Sequence, residues 1–405
     1  MNLLLIVITI WITTPVFAQP PGVDDSIMAI KGKWVQGEAF IHNYDPALAP
    51  SEFGIIYKKL DSIATFFKTA YQVPLGAEAK WYPSISEPPL FPKGPSPYSF
   101  WSLYKLYYYN KSFKKITLGD ETRTWAYVFV NSFNWLLNDT KLDLPGSLEK
   151  IWQLPRSLPE VWNKHVVYEA YTHGPNAKAI VITQNEKMPW KPVSRIQYLT
   201  ALKNQKEEEY ERMVADYDAG IENGRKKLEG IRNRKDIPAA AKQAMITAAQ
   251  QQLDKNTGLR EAMIKRIESS KNKDLQVIAE IIAQQPEKDL QQHAVINRHK
   301  NFLTHRRFED PSSKDATWLV AIDKSYFDTT LPSYAPQFAV LYWRWNDVVP
   351  GLYFKKQFEA NFPVDKLKAM FPANGKGLSN HPLSQQIRNE GTAILQTFIG
   401  QANNL

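Results

Sequence analysis

Hydrophobic positions follow two different rhythms along the chain. From Leu199 onward, Leu202, Tyr210, Met213, Tyr217, Ile221, Leu228 and Ile231 recur mostly at steps of three and four. That spacing marks one face of a helix. The segment Pro192-Val193-Ser194-Arg195-Ile196-Gln197-Tyr198 opens it with a Ser-x-x-Gln capping box, flanked by Val193 and Tyr198 at the positions of a hydrophobic staple. Asp236-Ile237-Pro238 reads as a stop and restart. A second helical series runs through Met245, Ile246, Leu253, Leu259, Met263, Ile267, Leu275, Ile278 and Ile282, with a break expected at Asn256-Thr257-Gly258. Each stripe is narrow, and its cheapest cover is the other helix folded back antiparallel. Residues 195–285 therefore predict a coiled-coil-like helical hairpin. One long helix lying on the main body is the competing reading.

The flanks alternate on a shorter period. Ser51–Tyr71 predicts a helix, whereas the five prolines within 85–98 predict an extended loop and Phe100–Tyr109 is ambiguous. Residues 114–118 and 122–130 read as one β-hairpin, and 165–172 with 178–183 as another. Thr317–Ile322 and Gln337–Trp345 read as further strands, and Asp365–Phe371 and Ser384–Ile399 as closing helices. The expected fold class is α+β. A β-rich body built from 22–192 and 312–405 is interrupted by a helical arm and basic connector over 195–310.

Composition sharpens this division. Residues 196–310 hold 21 basic, 18 acidic and five aromatic residues but no Trp, so all 12 Trp fall in the flanks. A solvent-rich rod and a bulky aromatic core are different structures. The chain has 405 residues and no Cys, which excludes disulfides, thiolate zinc sites and a cysteine nucleophile. Leu3–Ile12 is apolar apart from Thr9, and Val16-Phe17-Ala18 supplies small residues for cleavage after Ala18. Residues 1–18 are thus expected to be a signal peptide, although the n-region carries no Lys or Arg. An exported bacterial protein, periplasmic or extracellular, follows, with no transmembrane segment after cleavage. The formal charge of +9 favours polyanions weakly.

Catalytic motifs are lacking. The chain has no Walker A loop, no Gly-x-Gly-x-x-Gly fingerprint, no Gly-x-Ser-x-Gly elbow, no His-Glu-x-x-His and no EF-hand loop. No catalytic residue, cofactor or metal is assigned, and no nucleic-acid module is recognisable.

Three constellations remain. Tyr342-Trp343-Arg344-Trp345 ends a strand, and its rings could form a stacking platform or simply fill the core. His165 and Glu169 share one face of a straight strand at about 13 Å, too far for joint metal binding but suited to lining a groove. Arg298, Lys300, Arg306 and Arg307 form the densest basic run, either an anion site or a solvated connector.

The favoured expectation is a non-catalytic binding or scaffold protein, with an aromatic surface on the body and the arm contacting a partner or a second copy. A glycan-type hydrolase using two distant carboxylates, with Glu169, Asp323 and Asp347 as candidates, is the alternative. A binder of anionic envelope polymers through the basic run is the third.

Overall fold

The computed structural model describes residues 22–41, 50–85, 87–120, 123–147, 149–170, 176–184 and 187–372. The expected signal segment and the helix expected over 384–399 lie outside them. The N-terminal half gives α1 (Val23–Met28), β1 (Trp34–Gln36), β2 (Phe40–Ile41), α2 (Pro50–Ala70), β3 (Ala77–Ile85), β4 (Tyr98–Asn110), β5 (Lys115–Leu118) and β6 (Thr124–Val130). Then follow β7 (Asn138–Asp143), β8 (Lys150–Leu154), β9 (Ser157–Trp162), β10 (His165–Glu169), β11 (Ala177–Thr183) and β12 (Trp190–Pro192). The arm is α3 (Arg195–Asn233) and α4 (Ala239–Ala283). The chain returns through α5 (Glu287–Leu290), β13 (Val295–Asn297), α6 (Phe302–His305), β14 (Ala316–Ile322), β15 (Phe338–Arg344), α7 (Val349–Asn361) and α8 (Val364–Lys368).

The fold is α+β, and its layers follow from side-chain alternation. A ten-stranded sheet runs β1-β3-β4-β6-β15-β11-β10-β9, with β2 beside β3 and β5 beside β4. One face carries Phe100, Val128, Leu341 and Trp343 against Leu60, Phe67, Phe354 and Phe358 of α2 and α7. The opposite face carries Phe129, Val181, Val340 and Tyr342 toward Leu154, Val320 and Ile322 of the five-stranded sheet β12-β14-β8-β7, in which β13 also pairs with β14. The alternate residues of that second sheet, Ile151, Leu319 and Ala321, pack on the roots of the arm at Tyr198, Leu199, Leu202, Ile278 and Ile281. Strand β15, which follows the arm, is hydrogen-bonded between β6 and β11, which precede it. Both flanks therefore share one sheet.

The arm is a helical hairpin. Ser194 and Gln197 form the capping box at its start. Arg260 meets Asp218 through two hydrogen bonds of 2.5 and 2.7 Å, and the Tyr217 hydroxyl donates to the Asn256 carbonyl at 2.9 Å. These contacts fix the register and explain one departure from expectation: α4 continues through Gly258. A helical glycine costs about 1 kcal/mol, small enough for a long helix packed along its partner to continue through it. Gly224 has a positive use, since a Cβ there would lie 3.3 Å from Leu253 Cδ1.

Two further expectations are corrected. β5 does not pair with β6; both pair with β4, which is 13 residues long and gives its first seven residues to β6 and its last four to β5. The basic connector is not merely solvated. Its β13 hydrogen-bonds β14 at Ala316–Trp318, in line with β12 at Val320–Ile322. Both legs of the arm are thus sewn to one strand. Leu319 is the knot: its carbonyl accepts from Val193 N–H at 3.0 Å, and its N–H donates to Ala294 at 3.0 Å. Among the described residues no helix is long and apolar enough to cross a membrane.

His293 lies at this knot, its Nε2 2.6 Å from the Leu319 carbonyl and its ring 4.7 Å from that of Trp318. Burial pushes its pKa down from 6.5 to about 4, against the hydrogen bond to Leu319. The unfolded chain then takes up the proton first. Stability is intact above about pH 6.5 and declines as pH falls toward 4, by at most about 3 kcal/mol from this group. Denaturant unfolding at pH 7 and pH 4.5 should show this loss, and His293→Gln should shrink it. A second outcome concerns the seam, where Ile221 and Leu228 are buried. Ile221→Ala with Leu228→Ala should lower the far-ultraviolet melting of the arm and leave the tryptophan transition of the body in place, because the seam has no Trp.

Candidate binding face

On the side of the ten-stranded sheet away from the helices, the inter-sheet core ends at β6 and β4, where Trp101, Leu103, Trp125 and Trp135 are only partly buried against it. There the strand register sets side chains in rows. Tyr82 of β3 is opposite Trp101 of β4, Trp101 is opposite Tyr127 of β6, and Tyr127 is opposite Tyr342 of β15. The next row is Lys80, Leu103, Trp125 and Arg344. Alternation puts the intervening residues Trp81, Phe100, Ala126 and Trp343 in the helix-side core.

Rings on this open side touch in a continuous series. Phe40 lies 5.5 Å from Tyr82 and 5.9 Å from Trp101; Trp101 lies 5.3 Å from Tyr127 and 6.3 Å from Trp135. Trp135, from the turn after β6, stands edge-on to Tyr127 at 4.7 Å and to Tyr342 at 5.4 Å. Phe40 is exposed, and Tyr82, Trp101, Trp125 and Trp135 are half-buried. Tyr127 and Tyr342 form the floor beneath them, and burial pushes both phenols up, so they stay neutral.

The Trp135 turn is held in an uncommon shape. Trp135 has φ of 65°, the left-handed region that bulky residues rarely adopt. The Glu87 carboxylate fastens the turn, accepting from the Ser132 hydroxyl and, at 2.9 Å, from the Asn134 amide. Backbone strain of this kind costs on the order of 1–3 kcal/mol and clusters at functional sites. Cations rest on the rim rings: the Arg344 guanidinium is 4.7 Å from the centre of Trp125, and the Lys80 ammonium 5.1 Å from that of Tyr82. Half-buried rings over a buried tyrosine floor, with cations at their edges, can stack flat ligand faces and attract negative charge.

The residues expected from sequence separate. Arg344 borders this face, whereas Tyr342 is fully buried in the core beneath it. Trp343 and Trp345 do not form a stacking platform. Trp343 is fully buried, its indole donates to Glu359 at 3.0 Å, and it packs 4.8 Å from Trp162. Trp345 is 7% exposed, with the ammonium groups of Lys178 and Lys355 over its ring. Nor do His165 and Glu169 line a groove together: a register shift between Val166 and Tyr168 interrupts their strand, and Glu169 meets Arg298 at 3.1 Å.

That pairing also consumes part of the basic run. Arg306 faces Glu280 at 3.6 Å, Arg307 lies 3.2 Å from His305, and Lys300 is exposed. Beside them Glu309 accepts from Asn297 at 2.8 Å and meets His305 at 2.7 Å, and both contacts hold its carboxyl below the ordinary range. The run is a stitched joint more than an open anion site.

Carboxylates elsewhere are similarly engaged. Burial opposes ionisation of Asp323, but Ser325 and the Lys187 ammonium at 3.1 Å keep its pKa low. Glu160 and Glu359 converge on Lys178 at 2.6 and 3.5 Å, a clasp joining β9, β11 and α7. Asp347 is exposed. Among the described residues, no group of three or more His, Asp or Glu is placed to hold a metal ion. A polar recess of about 350 Å³ lies at the arm root between Lys141–Leu144 and Ala201–Glu208. No protein-family model, curated protein or solved structure matches this chain.

The division between core and open face predicts unequal costs. Trp343→Ala should lose about 3–5 kcal/mol, as a fully buried aromatic does. Trp101→Ala should lose clearly less, because its ring is already partly hydrated. Urea unfolding of the two variants measures the difference.

Proposed function

We propose that this chain is an exported, non-catalytic binding protein whose body recognises its ligand on the open aromatic face. The observation that carries the reading is the cluster of Trp101, Trp125 and Trp135, half-exposed and bordered by Arg344. Partly exposed rings gathered in one contiguous patch mark an interaction surface, as scattered single ones do not. Here a fastened, strained turn keeps Trp135 among them. Converging rings with a few placed polar groups are the usual make-up of a recognition site.

The arm serves the same protein as a spacer or contact element. Its helices are 39 and 45 residues long, and beyond the root residues Leu202 and Val277 it reaches roughly 45 Å from the body at 1.5 Å per residue. Met213, Met245 and Leu259 are exposed along it, a modest apolar supply for contact with a partner or a second copy. The seam and the knot at Leu319 make it a stiff element rather than a tether.

Retention of the purified chain on immobilised bacterial envelope polysaccharide tests the first part. Trp101→Ala with Trp125→Ala should reduce retention at least tenfold while near-ultraviolet circular dichroism still shows a folded body. Equal retention of variant and parent would remove the open face from the function. The second part is tested by replacing 204–274 with a short Gly-Ser linker, which spares the buried root residues Leu202, Val277 and Ile278. The excised chain should sediment as a smaller assembly or lose a captured partner. An unchanged assembly state and unchanged capture would count against the arm's role.

A further inference from the structure

Resting on the reading of the open face as the binding surface, we infer that its ligand is an acidic polysaccharide, a sugar chain bearing spaced carboxylates. The rings supply flat apolar surfaces of the kind that stack on pyranose faces. Their contacts run from Phe40 through Tyr82 and Trp101 to Trp135 and Trp125, so the track crosses strands and suits an extended polymer more than a compact small molecule.

The charges select the acidic form. Lys80 and Arg344 occupy one row, three strand spacings apart, or roughly 14 Å at about 4.8 Å per strand. Leu103 and Trp125 lie between them. Lys105 adds an exposed ammonium two residues along β4. The carboxylates bordering the face are already engaged. Glu78 accepts from the Tyr107 hydroxyl at 3.1 Å and from Lys33 N–H at 3.2 Å, and Glu87 holds the Trp135 turn. These neutral donors leave both carboxylates charged, so the preference rests on Lys80 and Arg344 lying directly over the rings, and the chain's net charge of +9 has the same sign.

Other occupants fit less well. A second copy seated face to face would bury Lys80, Lys105 and Arg344 together with their copies in one interface, and burying that many like charges is costly. A single-stranded nucleic acid carries a phosphate at every unit and calls for a continuous basic groove, whereas cations here are sparse and separated by rings. A membrane-inserting surface needs protruding apolar side chains, whereas of this ring series only Phe40 is exposed and Tyr82, Trp101, Trp125 and Trp135 are half-buried.

The test is affinity electrophoresis of the full chain through gels containing polygalacturonate, alginate or fully methyl-esterified polygalacturonate. The ester keeps the sugar backbone and removes its charge. Retardation by at least one acidic polymer is expected, at least tenfold stronger for polygalacturonate than for its ester if polygalacturonate is the one bound, and weakened by salt. Lys80→Gln with Arg344→Gln should reduce binding to the acidic polymers about tenfold. Trp101→Ala should abolish it, and Trp101→Phe should restore part of it, which separates loss of stacking from loss of fold. Equal binding to polygalacturonate and its ester would overturn the acidic specificity and leave the binding face standing. Binding to oligo-dT or anionic vesicles in preference to every polysaccharide would overturn the ligand class. Binding to none of these probes, with the wild-type body folded, would overturn both readings.

Discussion

The structure depends on the seating of β15 between β6 and β11. That strand comes from beyond the arm, and its hydrogen bonds close the large sheet across an interruption of more than a hundred residues. A strand presents successive side chains to opposite faces, so its register decides two things together. Leu341 and Trp343 enter the helix-side core, while Tyr342 and Arg344 turn to the other side, Tyr342 fully buried beside Tyr127 and Arg344 half-buried over Trp125. A slip of one residue would bury Arg344 among aromatic rings and expose Trp343. The desolvation cost of an unpaired guanidinium forbids it. Core and recognition face are therefore two readings of one register.

A comparable constraint governs the arm. Its legs leave and rejoin the body on either side of Leu319, within a small antiparallel patch that includes the Ser194–His293 bridge. Ser194 caps α3 there, while its backbone also belongs to the sheet edge. The cap and the bridge thus fix the direction of the helix at its root. The polar register contacts farther out, Asp218 with Arg260 and Lys206 with Asp274, then keep the helices aligned on exposed surfaces where apolar packing is thin. Such exposed pairs contribute little stability and act mainly on alignment.

Local signals in the chain foretell some of this. The capping box, the seam spacing, the absence of Trp from the arm and the strand character of 337–345 all follow from periodicity and turn chemistry. What periodicity could not decide was which side of β15 faces the core. Both faces of β4, β6 and β15 are apolar or aromatic, because one packs on helices and the other on a second sheet or on rings, so the usual polar-apolar contrast is missing. For the same reason Trp343 looked as good a platform as Trp101 or Trp125. The open face is assembled from β3, β4, β6, β15 and the Trp135 turn, which only the register brings together. A tryptophan following Ser132-Phe133-Asn134 was the one local hint, since Asn and Ser favour tight turns. The ion pair of Glu169 with Arg298 spans 129 residues and leaves no trace in local spacing.

The central claim is that one set of tryptophans is buried for stability and another is presented for binding. Hydroxyl-radical footprinting read by mass spectrometry, with and without oligouronate, tests it most directly. Oxidation should fall on Trp101, Trp125 and Trp135 in the unliganded chain and drop at those three when the oligosaccharide is added, with Trp343 unmodified throughout. Oxidation of Trp343 at a rate equal to that of Trp101, or an unchanged pattern at all three exposed rings in saturating oligosaccharide, would contradict it.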